Sequence, residues 1–237
     1  MKTRSKRYKA LVATAEKAGG LKTPKDVPAA VALVKSMAKA KFTESIDLAV
    51  CLNLDTKKAD QQFRGSFSLP NGTGRSVRVI AFVDDSDKIA TALAAGAVKA
   101  GGEDLVKEVE GGFMDFDVAI STPKMMRHVG KLGKVLGPRG LMPSPKSGTV
   151  AEDIAGAVKE FKGGKIEFRA DAAGNVHVRV GTAQFDEAKL AENIAAFLTY
   201  VADSRPSTVK GAFIKGVTVA STMGPGVLIA FVEKKEA

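Results

Sequence analysis

The sequence predicts a mixed chain, α/β and α+β: an antiparallel α+β domain made from both ends, interrupted by an inserted, layered α/β domain. Three observations predict it. Excess positive charge sits at the two ends: residues 1–70 hold 14 cations against 6 acids and residues 161–237 hold 10 against 8, while residues 71–160 hold 12 of each. Turn-forming punctuation stands near those borders, as Pro70-Asn71-Gly72-Thr73-Gly74 and as Gly163-Gly164. The hydrophobic pattern also changes, from one-sided alternation at the ends to strand–helix alternation in the middle. The expected domains are therefore 1–68 with 161–237, and 69–160.

In the first outer segment, Thr23-Pro24-Lys25-Asp26 reads as a helix start with proline at the first position. Val27, Val31, Val34 and Ala38 then form its buried face. Ile46, Leu48, Val50, Leu52 and Leu54 alternate with Asp47, Ala49, Cys51 and Asn53, which predicts a strand buried on one side.

The middle segment reads as parallel βαβ units. Residues 77–83 form an apolar strand. Asp85 or Ser86 caps a helix with Ile89, Leu93 and Ala97 on one face, ending at Gly101-Gly102. Residues 117–120 form a second buried strand, and Thr149 with Glu152 spells a capping box. The helix it opens carries Val150, Ile154, Ala157, Val158 and Phe161 on one stripe.

In the last segment, residues 165–170 place Ile166 and Phe168 on one face and Lys165, Glu167 and Arg169 on the other. After the turn 171–175, Val176, Val178 and Val180 face inward while His177 and Arg179 face out, which predicts a hairpin with a polar surface. A helix over 186–202, with Leu190, Ile194, Phe197, Leu198 and Val201 inward, leads to strands at 217–220 and 227–232.

Composition narrows the function classes. A net charge of +10 points to nucleic acid or an anionic membrane surface. No apolar run approaches the length of a membrane span, and Glu16 and Lys17 break the early apolar stretch that a signal peptide needs. One cysteine, Cys51, excludes an internal disulfide, and His128 and His177 are the only histidines, so metal sites and His-based catalysis have little material. The expected location is the cytoplasm. With no Trp and two Tyr, base stacking is poorly supplied, which favours structured RNA read through backbone and shape.

The most unusual stretch is 131–150, KLGKVLGPRGLMPSPKSGTV, rich in glycine, proline and cations. From Val118 to Ala151 there is no acidic residue, yet Lys124, Arg127, Lys131, Lys134, Arg139 and Lys146 all occur. Such a loop suits a negatively charged partner, or else it is a structural Gly-Pro loop with solvated cations. It does not spell a phosphate-binding loop, and Gly72-Thr73-Gly74-Arg75-Ser76-Val77 lacks the last glycine of a dinucleotide fingerprint. A nucleotide-dependent or RNA-modifying enzyme is the competing reading, and it lacks both that loop and a nucleophile–base pair.

GKVLGPRGLMPSPKSGTV (133–150), RGSFSLPNGTG (64–74), GGKIEFRADAAGNVHVRVG (163–181) and STMGPGV (221–227) resemble the ribosomal protein L-one family in its bacterial form. The resemblance implies a split RNA-binding base domain with an inserted Rossmann-like, three-layer α/β domain. It implies a non-enzymatic, ribosome-associated protein, monomeric within the ribosome, with no cofactor, metal, membrane or small-molecule substrate. Its implied partners are large-subunit rRNA at a mobile stalk, exit-site tRNA during release of deacylated tRNA, and its own operon mRNA, whose translation it represses. Crossings near 66–74 and 160–164 are expected to let the inserted domain swing.

The resemblance carries rRNA contact to Lys41, Phe42, Thr43 and Glu44, against the shallow groove of A-form RNA. It carries the same role to Ser221, Thr222, Met223, Gly224, Pro225 and Gly226, a segment that by itself reads as an ordinary strand connection. Lys165, Glu167, Arg169 and Asp171 read as an RNA surface in which Glu167 holds a neighbouring cation or accepts from RNA, or as a merely solvated face. Ser207 and Lys210 read equally as phosphate contacts and as turn chemistry. Lys131, Lys134, Arg139 and Lys146 are expected to make auxiliary RNA contact.

Overall fold

The alternating and periodic patterns resolve into two units with separate cores in a computed structural model that describes residues 5–58 and 61–231. Along the chain run α1 (Lys6–Lys17), α2 (Val27–Met37), β1 (Ser45–Leu52), β2 (Arg64–Ser68), β3 (Val79–Phe82), α3 (Ser86–Ala94), β4 (Lys99–Gly101), α4 (Glu103–Glu110) and β5 (Val118–Ser121). There follow α5 (Met126–Val129), α6 (Gly133–Leu136), α7 (Ile154–Gly163), β6 (Lys165–Arg169), β7 (Asn175–Thr182), α8 (Glu187–Asp203), β8 (Ile214–Ser221) and β9 (Val227–Ile229). The chain is a mixed α/β protein.

Of the described residues, unit 1 takes those up to Phe63, Leu69–Gly74, and those from Phe168 onward. Its four strands lie in the order β7-β1-β8-β9, and each neighbouring pair is antiparallel. Leu48 stands opposite Val178 on one side and Val219 on the other, so one row of apolar side chains runs across the sheet. That face is covered by α2 and α8, which also pack on each other. Ile46, Leu48, Val50, Ile194, Phe197 and Phe213 are fully buried there, each worth roughly 1.5–3 kcal/mol of hydrophobic stabilisation. The helix expected to start at Pro24 is α2, which begins later. Asp26 precedes it and Pro28 sits in its first turn, because Lys25 instead pairs with the β9 edge through Leu228 and Ala230.

Unit 2 takes Arg64–Ser68 and Arg75–Glu167. Its parallel sheet has the order β4-β3-β5, and all four residues of β3 are buried, because helices cover both faces. Ile80 and Phe82 meet the α4, α5 and α6 side, whereas Val79 and Ala81 meet Ile154, Val158 and Phe161 of α7. The strands through which the chain enters and leaves this unit, β2 and β6, pair with each other.

Four local expectations are corrected. The helix from residue 86 stops at Ala94, since Gly96 turns the chain with φ 101° and Lys99–Gly101 join the edge of β3 as a strand. Leu93, expected to face inward, is left exposed. The cap of α7 is Asp153, which accepts from Gly156 N–H at 3.0 Å, while Thr149 is buried and hydrogen-bonded to Ser144. The hairpin does not form: β7 pairs with β1 and β6 with β2, so the turn at 171–175 joins strands of different sheets.

Residues 64–68 and 161–167 pack with unit 2, and 69–74 return to unit 1. Residues 69–74 are hydrogen-bonded to the fully buried Asn193 of α8. Its oxygen accepts from Asn71 N–H at 3.0 Å, and its amide donates to the carbonyls of Gly72 (3.0 Å) and Val180 (2.8 Å). Gly74 then turns with φ 70° so close to the Phe185 ring that a Cβ would lie 2.5 Å from it. The strand end expected at residue 232 lies outside the described residues.

Candidate nucleic-acid interface

Unit 1 brings together two segments to which the resemblance carried rRNA contact. Residues 40–44 leave α2 and enter β1, while 222–226 connect β8 to β9. The sheet fixes their register: Ser45 N–H donates to Thr222 Oγ1 at 2.9 Å, and Thr222 N–H returns a bond to the Ser45 carbonyl at 3.0 Å. The Ser45 hydroxyl also donates to Asp47 at 2.9 Å.

Glu44 sits beneath both segments, only 1% exposed. Its Oε1 accepts from Ala40 N–H at 2.8 Å and its Oε2 from Met223 N–H at 3.0 Å, with the Arg7 guanidinium of α1 at 3.7 Å. Burial alone pushes this carboxyl up. The Met223 and Ala40 amides, the Ser221 hydroxyl dipole and Arg7 together outweigh that and hold it below its ordinary value. The Ser221 oxygen is itself buried without a hydrogen bond of normal geometry, under Gly224, where a Cβ would lie 2.5 Å from it.

Lys41, Phe42 and Thr43 are exposed, as are Thr222, Met223 and Gly226, whereas Ser221 and Pro225 are buried. Phe42 and Met223 stand out: they are 54% and 50% exposed, and among the described residues only Leu93 and Val98 join them as large apolar side chains left open to solvent. An apolar ring and a thioether on a hydrogen-bonded frame suit contact with ribose and base faces. Glu44 differs from expectation, because its charge is used inside the protein. Thr43 is further held by the Gln184 amide at 3.2 Å.

The other expected residues divide between the units. Arg169 is exposed in unit 1. Asp171 organises the turn after it, accepting from the Asn175 amide at 2.7 Å and the Ala173 amide at 2.9 Å, and these bonds hold its carboxyl below the usual range. Ser207 and Lys210 are exposed between α8 and β8. Lys165 and Glu167 belong to unit 2. Lys165 is largely buried, 2.7 Å from Glu160 and over the Phe161 ring, so Glu160, not Glu167, holds it. Partial loss of water raises the Glu167 carboxyl, against the downward pull of the Ser147 hydroxyl and Lys165.

Lys131, Lys134, Arg139 and Lys146 are all exposed in unit 2. None forms an ion pair with a described carboxylate, in contrast to Lys124, which lies 3.9 Å from Asp84. Among the described residues there is no cluster of three metal-ligating side chains, and no helix is long and apolar enough to cross a membrane.

The model of the Ribosomal protein L1p/L10e family matches residues 34–225. The chain belongs to this family. It is 49% identical over 234 residues to large ribosomal subunit protein uL1 of Cutibacterium acnes, covering 98% of this chain and 99% of that one. It is 50% identical over 205 residues to the uL1 proteins of Thermosipho melanesiensis and Thermosipho africanus, covering 86% of this chain and 88% of each. The L1p/L10e match takes in both halves of the Glu44 frame, from Ala40 to Pro225, but not Arg7. Arg7 was legible in the sequence only as part of a basic N-terminus, and Gln184 and Asn193 carried no signal there at all.

Proposed function

We propose that this chain is a structural, non-enzymatic RNA-binding protein of the large ribosomal subunit, and that unit 1 makes the specific contact with rRNA. One observation carries the reading: Phe42 and Met223 stand exposed on two segments that are hydrogen-bonded to one buried carboxylate. Two large apolar side chains held open on segments that share one hydrogen-bonded frame suit a surface that a partner covers. A-form RNA offers a shallow groove lined with ribose edges and 2′-hydroxyls, which suits an aromatic ring, a flexible thioether and the neighbouring Lys41 and Thr43. The names of the relatives, all large-subunit proteins, support the same target.

Arg169, Ser207 and Lys210 extend this contact toward phosphates, and Lys131, Lys134, Arg139 and Lys146 of unit 2 add sequence-independent attraction. The finer roles rest on the family resemblance. The protein acts at the mobile stalk near the tRNA exit site, assisting release of deacylated tRNA. When it is in excess over rRNA, its own operon mRNA, presenting a similar structure, occupies the same frame and is repressed. Equilibrium binding of a large-subunit rRNA fragment tests the reading. Phe42→Ala and Met223→Ala are each expected to weaken binding by about 1–3 kcal/mol, the scale of a specific base contact; unchanged affinity in both would remove this surface from the site.

A further inference from the structure

We propose that Glu44 is a positioning residue for RNA binding, one that never touches the RNA but sets how Phe42 and Met223 are presented to it. The inference rests on the RNA reading above and deepens it. With 1% of its surface exposed, Glu44 has no face left for a ligand. Its two oxygens instead each take one backbone N–H, from Ala40 and from Met223, the latter 179 positions away in sequence.

The geometry assigns each bond a task. The Ala40–Glu44 bond closes a short turn over Lys41, Phe42 and Thr43, which are the three exposed residues between its ends. The Met223 bond ends on the amide of the very residue whose side chain projects into solvent. Ser45 and Thr222 already fix the strand ends, so Glu44 governs what lies beyond the sheet. Its own carbonyl accepts from Ala183 N–H at 2.9 Å, which ties its backbone to the chain after β7. Arg7 flanks the carboxylate from the solvent side.

Only a carboxylate on a side chain of this length meets both demands. Glutamine keeps one acceptor and turns an NH₂ donor toward the other N–H, leaving a buried amide opposed by a donor. Aspartate is one methylene shorter and falls short of one partner. Because the bonds are charge-assisted and shielded from water, losing one is costly out of proportion to its number.

The test uses the full-length protein and an rRNA fragment from the large subunit, with dissociation constants for wild type, Glu44→Gln, Phe42→Ala, Met223→Ala and the two double variants. Glu44→Gln is expected to weaken binding by roughly tenfold or more, the scale of a lost hydrogen bond to a charged group. In that background, Phe42→Ala and Met223→Ala should each add less than about twofold, because the side chains are no longer held in place; such non-additivity is the mark of residues acting as a unit. Costs that simply add would overturn the positioning role and return Glu44 to independent contact. Insensitivity of the otherwise wild-type protein to both alanines would overturn the RNA reading instead. Hydrogen exchange on the unmodified protein gives an arm that needs no variant. The Ala40 and Met223 amides should exchange as slowly as those of β1, and fast exchange at Met223 would overturn the clamp.

Discussion

The Glu44 frame of unit 1 and the acid-free segment of unit 2 offer the RNA partner proposed above opposite kinds of surface. The frame has few free cations but a fixed shape: buried carboxylate, reciprocal Ser45–Thr222 bonds, and two apolar side chains held outward. The segment has four exposed cations without ion partners among the described residues, carried on short helical turns and Gly-Pro connections. Shape can discriminate one RNA from another, whereas unpaired charge attracts any of them. The whole-chain charge of +10 therefore favours a polyanionic partner without saying where it is recognised.

The largest effect expected is on salt dependence, to which both regions contribute. If ~6 phosphates are neutralised, affinity should fall by roughly a thousandfold between 50 and 200 mM salt. A flat response in filter-binding or calorimetric titrations would break the electrostatic half of the comparison. Next come Phe42→Ala and Met223→Ala, each about 10–100-fold weaker on cognate rRNA with the slope against salt unchanged. An altered slope would mean that these positions work through charge.

Replacing Lys131, Lys134, Arg139 and Lys146 together by Gln should weaken cognate and non-cognate RNA alike. The slope of log affinity against log salt should shrink by up to about 0.9 for each phosphate that is no longer neutralised. A loss confined to cognate RNA would assign recognition to unit 2. The smallest effect is on stability in acid. The Glu44 and Asp117 carboxyls both sit below their ordinary values: Glu44 because its amide donors, Ser221 and Arg7 outweigh burial, and Asp117 chiefly through its hydrogen bond from Arg78. A depressed carboxyl contributes stability above its unfolded pKa and loses it as pH falls through the lower folded value. Urea unfolding should therefore weaken only below the ordinary carboxylate range, and Glu44→Gln and Asp117→Asn should each flatten that decline.

Much of this was legible in the residues. The alternation from Ile46 gave β1, and the apolar stripe from Leu190 to Val201 gave α8, because each pattern is long and one face of each is buried. The exposed Phe42 and Met223 were legible only through family resemblance. What escaped were features set by partners distant in sequence. Lys99-Ala100-Gly101 has no strand propensity and is a strand only because β3 offers it an edge. Asp171–Asn175 looks like a hairpin turn, and only the choice of β1 and β2 as partners sends its flanking strands apart. Glu44 read, through the resemblance, as an RNA contact, since nothing local announces that Met223 N–H will meet it. Thr149 read as the cap of α7, and its burial against Ser144 left that role to Asp153, which the sequence reading had not singled out.

The central claim, that recognition lies in the frame and general attraction in the charged segment, is tested most directly by the ratio of non-cognate to cognate dissociation constants at one fixed salt concentration. The double substitution Phe42→Ala, Met223→Ala is predicted to lower that ratio by at least about tenfold while leaving non-cognate binding unchanged. The four-cation substitution in unit 2 is predicted to weaken both and leave the ratio where it was. The opposite pattern, with the ratio lost through the cations and kept without Phe42 and Met223, would contradict the account.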